Sequence, residues 1–170
     1  MTSNKLYTYG WDSEVFIAWF QKDPSKDLAS IGFIIEEVEN NRAIIVLSSL
    51  VFSEVTQHKK SATAYNEFRD FCDGDNVEVL DVRPSIAILG GQFRTAAEEQ
   101  RKKEFAASGK HSTKKIKGED SIMLATASLA QVDVFHSEDL SSLSGSPVVN
   151  GLKISKPKDY QGRRLLKLGL

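Results

Sequence analysis

Cysteine is nearly absent from this chain of 170 residues: Cys72 stands alone, which excludes an internal disulfide and a cysteine zinc cage. Histidine is scarce as well, and the three present are scattered, which argues against a histidine metal centre. Any metal held here would be held by oxygen. No apolar segment reaches the roughly 18 to 20 residues that a membrane-spanning helix needs. The opening stretch MTSNKLYTYGWD lacks the apolar core of a secretory signal, so a soluble, cytoplasmic protein without membrane attachment is expected. There is no internal repeat, no low-complexity tract, and no Gly-rich phosphate loop with a Lys-Ser/Thr ending.

What is present suits one compact domain. A chain of this length with 41% hydrophobic residues buries roughly 70% of its unfolded surface. Charge is nearly balanced in total, at −1, but not in distribution. Between Arg101 and Lys117 lie seven basic residues (Arg101, Lys102, Lys103, Lys110, Lys114, Lys115 and Lys117) against one acid, Glu104. That segment carries +6 and the remainder −7. Cations gathered in this way serve a protein that handles a polyanion, and equally serve as a solvated loop.

Strand-like and helix-like segments alternate along the chain. LYTYGW (6–11) reads as a short strand, and SEVFIAWFQK places Val15, Phe16, Trp19 and Phe20 at helical spacing behind Asp12 and Ser13 as capping candidates. A second amphipathic helix runs from Asp27 to Asn40, and the β-branched AIIVLSS (43–49) reads as a buried parallel strand. Helices are expected from Leu50 to Gln57 and from Ser61 to Cys72, then the strand VEVLDV (77–82), stopped by Pro84. Helix resumes from Ser85 to Phe105, interrupted or bent at Gly90-Gly91. The basic loop, a helix beginning at Asp120, the strand VDVFHS and an edge strand LKIS (152–155) complete the order. This predicts a single α/β domain over residues 1–156, with a mainly parallel sheet flanked by helices on both faces, and a basic tail over 157–170.

Four acids fall at corresponding places in that alternation. Asp12 follows the first strand, Glu54 sits one turn into the helix after the second, Asp120 begins a helix, and Asp139 follows VDVFHS. They are separated by 42, 66 and 19 residues, which rules out a local loop site. In a parallel sheet all strand C-termini share one edge, so such residues meet there. Four carboxylates so close repel one another unless some bind protons or a cation joins them. Mg²⁺ prefers carboxylate and water oxygens, and this donor set implies metal-assisted phosphodiester hydrolysis. Each acid alone has a plainer role: Asp12 and Asp120 as helix caps, Glu54 as a surface residue, Asp139 as a turn former. Asp133 precedes its strand and reads as structural.

Three blocks in this order, YGWDSEVFIAWF, LSSLVFSEV and GEDSIMLATASLAQVDVFHSED, resemble the PIN-domain ribonucleases, in particular the toxin halves of VapBC toxin–antitoxin pairs. The resemblance spans residues 5 to 156. It implies a PIN-like fold and an endoribonuclease dependent on Mg²⁺ or Mn²⁺. It also implies a homodimer restrained by a small antitoxin. By position it assigns metal binding to Asp12, Glu54, Asp120 and Asp139, the orienting of carboxylates or waters to the hydroxyls of Ser13, Ser49 and Ser137, and a basic role to Arg94. RNA phosphates would then meet Arg94 and the segment bearing Lys110, Lys114, Lys115 and Lys117. The chain departs from the family at Met123, where many relatives have histidine, at Ser137, where threonine is usual, and at Ser141, where a further acid often lies. The last departure leaves Asp139 alone on its side and puts a strict two-metal mechanism in doubt.

Two other readings compete. A phosphohydrolase of another α/β family is disfavoured because Asp12-Ser13-Glu14 lacks the second Asp that haloacid-dehalogenase phosphatases place two residues after the first. A PIN-like interaction module without activity is favoured by the aromatic surface of Phe16, Trp19 and Phe20 with Tyr65, Phe68 and Phe71. Core packing explains the same residues, and a groove for a partner helix or second subunit is the alternative.

Overall fold

The computed structural model describes residues 6–58, 61–110, 115–143 and 151–157. Its frame is a five-stranded, all-parallel sheet in the order β3-β2-β1-β4-β5. The strands are β1 (Tyr7–Trp11), β2 (Ala43–Ser48), β3 (Val77–Leu80), β4 (Val134–His136) and β5 (Ile154–Ser155). Between β1 and β2 come α1 (Ser13–Phe20) and α2 (Leu28–Glu39), and between β2 and β3 come α3 (Leu50–Gln57) and α4 (Ala62–Cys72). The long α5 (Pro84–Ser108) and α6 (Gly118–Leu129) connect β3 to β4, and the single turn α7 (Leu140–Leu143) follows β4. The first two crossovers step outward from β1, and the third returns across the sheet to β4 on the other side of β1. Right-handed connections therefore put α5 and α6 on the opposite face from α1, α2 and α4.

Local chemistry accounts for the helix boundaries. Asp12, Asp27 and Ser61 cap α1, α2 and α4, each side chain accepting from a backbone N–H three residues on. Pro84 supplies the fixed φ at the start of α5, and Gly109, at φ 68°, ends it in the left-handed conformation. Contrary to expectation, α5 is not interrupted at Gly90-Gly91. A Cβ at Gly90 would lie 2.9 Å from Ile122 Cδ1 and 3.2 Å from the Ser121 carbonyl oxygen, so glycine there serves the close packing of α5 on α6. The helix also runs three residues beyond the expected end at Phe105, to Ser108, so Arg101, Lys102 and Lys103 are carried on a helix.

The core fills both sides of the sheet. Gly10 lets β1 approach α6, since a Cβ there would stand 2.9 Å from Ala127 Cβ. On the other face Trp11 packs edge-on to Phe16 at 5.0 Å between ring centroids, and Phe16 in turn meets Phe68 at 5.3 Å. Trp11 Nε1 donates to His136 Nδ1 at 3.2 Å, joining β1 to β4 inside the core. Asp133 is structural as expected. Its Oδ2 accepts from Thr8 N at 2.8 Å and its own N–H donates to the Thr8 oxygen at 2.8 Å. Among the described residues no helix is long and apolar enough to cross a membrane. The edge strand at 152–155 appears as β5, paired with β4. Of the tail expected over 157–170, residues 158–170 lie outside the described residues.

Candidate functional site

Strand order reverses direction at the β1/β4 junction, where the chain leaves β1 toward β2 and returns from the far edge to β4. In open α/β sheets the crevice beyond the strand C-termini at such a junction is where ligands bind. A cavity of about 280 Å³ lies there, and Asp12, Glu54, Asp120 and Asp139 all line it, as do Ser13, Ser137 and Lys117. Four elements far apart in sequence thus bring the four acids to one place.

Each carboxylate is held by identifiable partners. Asp12 is buried, with 7% of its surface exposed. Its Oδ1 accepts from Val15 N at 3.2 Å, its N–H donates to the His136 oxygen at 3.2 Å, and its side chain also hydrogen-bonds Ser137. The Ser137 Oγ further accepts from Asp139 N at 3.2 Å, so one hydroxyl joins two of the acids. The hydroxyl of Ser13 donates to Glu54 Oε2, linking α1 to α3. Asp120 is in the first turn of α6, three residues past the N-cap Lys117, and is not the cap itself as its place in the sequence suggested. Glu138, beside Asp139, is buried and pairs with Lys26 at 3.3 Å and Lys156 at 4.0 Å, which anchors the turn that carries Asp139.

Asp12, Asp120 and Glu14 resist ionising together. Burial pushes Asp12 up to about 8, and the charges of Glu14 and Asp120 add to the effect against the opposing Ser137 hydrogen bond. Asp120 is raised by burial and by Glu54, with Lys117 opposing. Glu14 is raised by burial first, then by Asp139 and Asp120. Sequence reading overlooked Glu14, which lines the same cavity, as do Glu119 and His58. The available signal was its place in the first turn of the helix that Asp12 caps, on the same rim of the sheet.

The donor set fits an oxygen-seeking divalent cation: several carboxylates around one cavity, destabilised by desolvation and by each other. As the side chains are placed, no three His, Cys, Asp or Glu groups among the described residues converge on a common point. The N-termini of α1 and α6 both open on the cavity, and their dipoles favour negative charge there.

The remaining expected residues fall elsewhere. Ser49 precedes α3, makes no side-chain capping bond and is not among the residues lining the cavity; its N–H donates to the Leu80 oxygen at 2.9 Å. Arg94 and Lys115 line a second cavity against α5, apart from the acids. Lys110 is exposed just past the end of α5. Lys114 lies outside the described residues, and so does the side chain of Ser141.

The frame and the position of its crevice define a PIN-like α/β fold, and comparison with solved structures gives the same class. The chain is similar to a chain of the VapBC2 complex of Rickettsia felis bound to a promoter DNA fragment, with a TM-score of 0.58 and 18% identity over 88% of this chain and 98% of that one. It is similar to a chain of the DNA-bound VapBC of Salmonella typhimurium, with a TM-score of 0.55 and 20% identity over 90% and 99%. A third similarity is to FitAcB of Neisseria gonorrhoeae, with a TM-score of 0.56 and 14% identity over 89% and 98%. No family model and no curated protein matches the sequence.

Proposed function

We propose that this protein is a divalent-metal-dependent endoribonuclease and the toxin of a type II toxin–antitoxin pair. The observation that carries the reading is the gathering of Asp12, Glu54, Asp120 and Asp139 around one cavity at the strand-order reversal. Acids gathered against their own repulsion, with Asp12 buried among them, suit the binding of a cation. A bound Mg²⁺ or Mn²⁺ would supply an activated water and neutralise charge on the phosphate. The protein's part is to hold the four carboxylates ready: Ser13 orients Glu54, and Ser137 orients Asp12 and fixes the Asp139 backbone. Lys117, at the mouth of the same cavity, draws in an RNA phosphate and offsets the local negative charge.

An antitoxin partner is supported by a separate groove between α1, α2 and α4. Trp19, Phe20 and Phe71 form its apolar floor, and Glu36, Glu39, Glu67 and Asp70 ring it. Such a surface suits a basic amphipathic helix. The neighbouring solved structures are toxin–antitoxin complexes, which makes a protein partner and a paired assembly the natural expectation. The same groove also favours a second reading, a PIN-like module that binds its partner but no metal.

Incubating mixed RNA with the protein and Mg²⁺ or Mn²⁺, against a chelator control and the Asp12→Asn variant, tests the proposal. Cleavage is expected only with the ion and intact Asp12. Cleavage undiminished in Asp12→Asn would remove the catalytic assignment. Calorimetric titration with Mn²⁺ separates the two readings, since the inactive module gives no binding heat.

A further inference from the structure

Beyond the acids, α5 and the segment entering α6 enclose a cavity of about 370 Å³ that the proposed chemistry does not use. Arg94 and Arg101 reach it from one face of α5, two turns apart, and Lys102 and Lys115 also line it. Glu98 and Glu99 are on its wall too, so basic groups exceed acidic ones by four to two. The Nε and Nη1 of Arg101 are shut off from solvent and have no hydrogen-bond partner among the described residues. Guanidinium nitrogens shut off from water without acceptors are costly, and an anion with several oxygens relieves that cost best.

The cavity adjoins the acid site along the segment 115–117. Lys115 lines the Arg101 cavity, Ile116 is buried and pins the segment, and Lys117 lines the acid cavity. Arg94 stands at the junction: its Nη1 is 3.9 Å from where a side chain on Gly118 would begin. Lys117 and Arg94 thus lie between the acids and the second cavity, where a neighbouring phosphate of the same backbone would pass.

We infer that Arg101, with Arg94 and Lys115, forms a second phosphate subsite that grips the RNA backbone outside the bond to be cut. The inference rests on the reading of the acid cavity as an RNA-cleaving site. An acidic peptide offers similar oxygens, but the position beside the acid cavity favours the nucleic acid.

The test is fluorescence anisotropy of a labelled eight-nucleotide single-stranded RNA with the full chain in Ca²⁺, across a salt series. Arg101→Gln is expected to weaken binding about ten-fold and to lower the log–log salt slope by about one. Arg101→Lys should recover most of the affinity, and Lys115→Gln should repeat the loss. Unchanged Mn²⁺ affinity and a thermal midpoint no lower than that of the natural chain in Arg101→Gln show that fold and acid site are intact. RNA binding and salt slope equal to those of the natural chain would overturn the subsite. So would Arg101-dependent binding of an oligoglutamate peptide without Arg101-dependent binding of RNA. Failure of the natural chain to cleave RNA with Mn²⁺ would instead remove the underlying reading, so the two failures are distinguishable.

Discussion

Glu14 is the residue whose position most changes the picture of the acid site. It follows Ser13 on α1, lines the cavity, and is held up in pKa by burial and by the charges of Asp139 and Asp120. It therefore supplies a further carboxylate within electrostatic reach of Asp139. Glu14→Gln is expected to weaken Mn²⁺ binding about ten-fold, measured by calorimetry. A loss no larger than that of Glu119→Gln would show that Glu14 does not face the ion. Ser137 is the second residue of consequence, because its hydroxyl joins Asp12 to the backbone of Asp139. Ser137→Ala should cost about ten-fold in Mn²⁺ affinity by freeing both acids, while Ser137→Thr keeps the hydroxyl and most of the affinity. At this scale the sequence was informative wherever an acid ended a strand or began a helix. Ser49 was not legible in the same way, because whether a side chain beyond β2 turns inward depends on how α3 leaves the sheet.

At the scale of elements, periodicity and punctuation disclosed the alternation and nearly every boundary, with one instructive failure. Two adjacent glycines in a helical pattern signal a break, yet α5 runs through them. The reason is tertiary: Gly90 lies where α6 comes closest, whereas a Cβ at Gly91 would meet nothing within 4 Å. The two positions should consequently respond in opposite directions to the same change. Gly91→Ala is expected to stabilise the chain by about 0.5–1 kcal/mol through reduced backbone entropy. Gly90→Ala is expected to destabilise it by about 1 kcal/mol, because the propensity gain is outweighed by overpacking against Ser121 O and Ile122. Urea denaturation of both variants decides the matter, and an equal gain at the two positions would show that α5 and α6 are less tightly packed than described. The cavity between α5 and segment 115–117 was illegible for the same reason: Arg101 was counted as part of a basic run, and only helix packing shuts two of its guanidinium nitrogens off from solvent.

Across the whole molecule, two buried ionisable groups set opposing slopes of stability against pH. Burial, assisted by Lys153, lowers His136 to about 3, whereas it titrates near 6.5 when unfolded. Between about 3 and 6.5 the unfolded chain therefore binds a proton that the folded chain refuses, and stability rises with pH. Asp12 works in the other direction. Its folded value is about 8 against roughly 3.9 unfolded, so through that interval the folded chain holds a proton that the unfolded chain has lost, and stability falls as pH rises. From about 4 to 6.5 the slopes of Asp12 and His136 offset each other; above 6.5 the His136 slope is gone and that of Asp12 remains. The metal-free protein should accordingly be most stable in mildly acidic solution and lose stability steadily to pH 8. Asp12→Asn keeps a capping side chain and removes the charge. At pH 7 without metal it should stabilise the chain by on the order of 2 to 4 kcal/mol and flatten the decline above pH 6.5. Mn²⁺ should restore stability to the natural chain increasingly as pH rises toward 8, because binding displaces the Asp12 proton. Urea denaturation followed by the fluorescence of Trp11 and Trp19 at pH 5 to 8.5, with and without Mn²⁺, measures all three effects. A metal-free stability that did not fall between pH 6.5 and 8 would mean that Asp12 ionises freely in the fold, and the case for a cation compensating buried acids would lose its energetic basis.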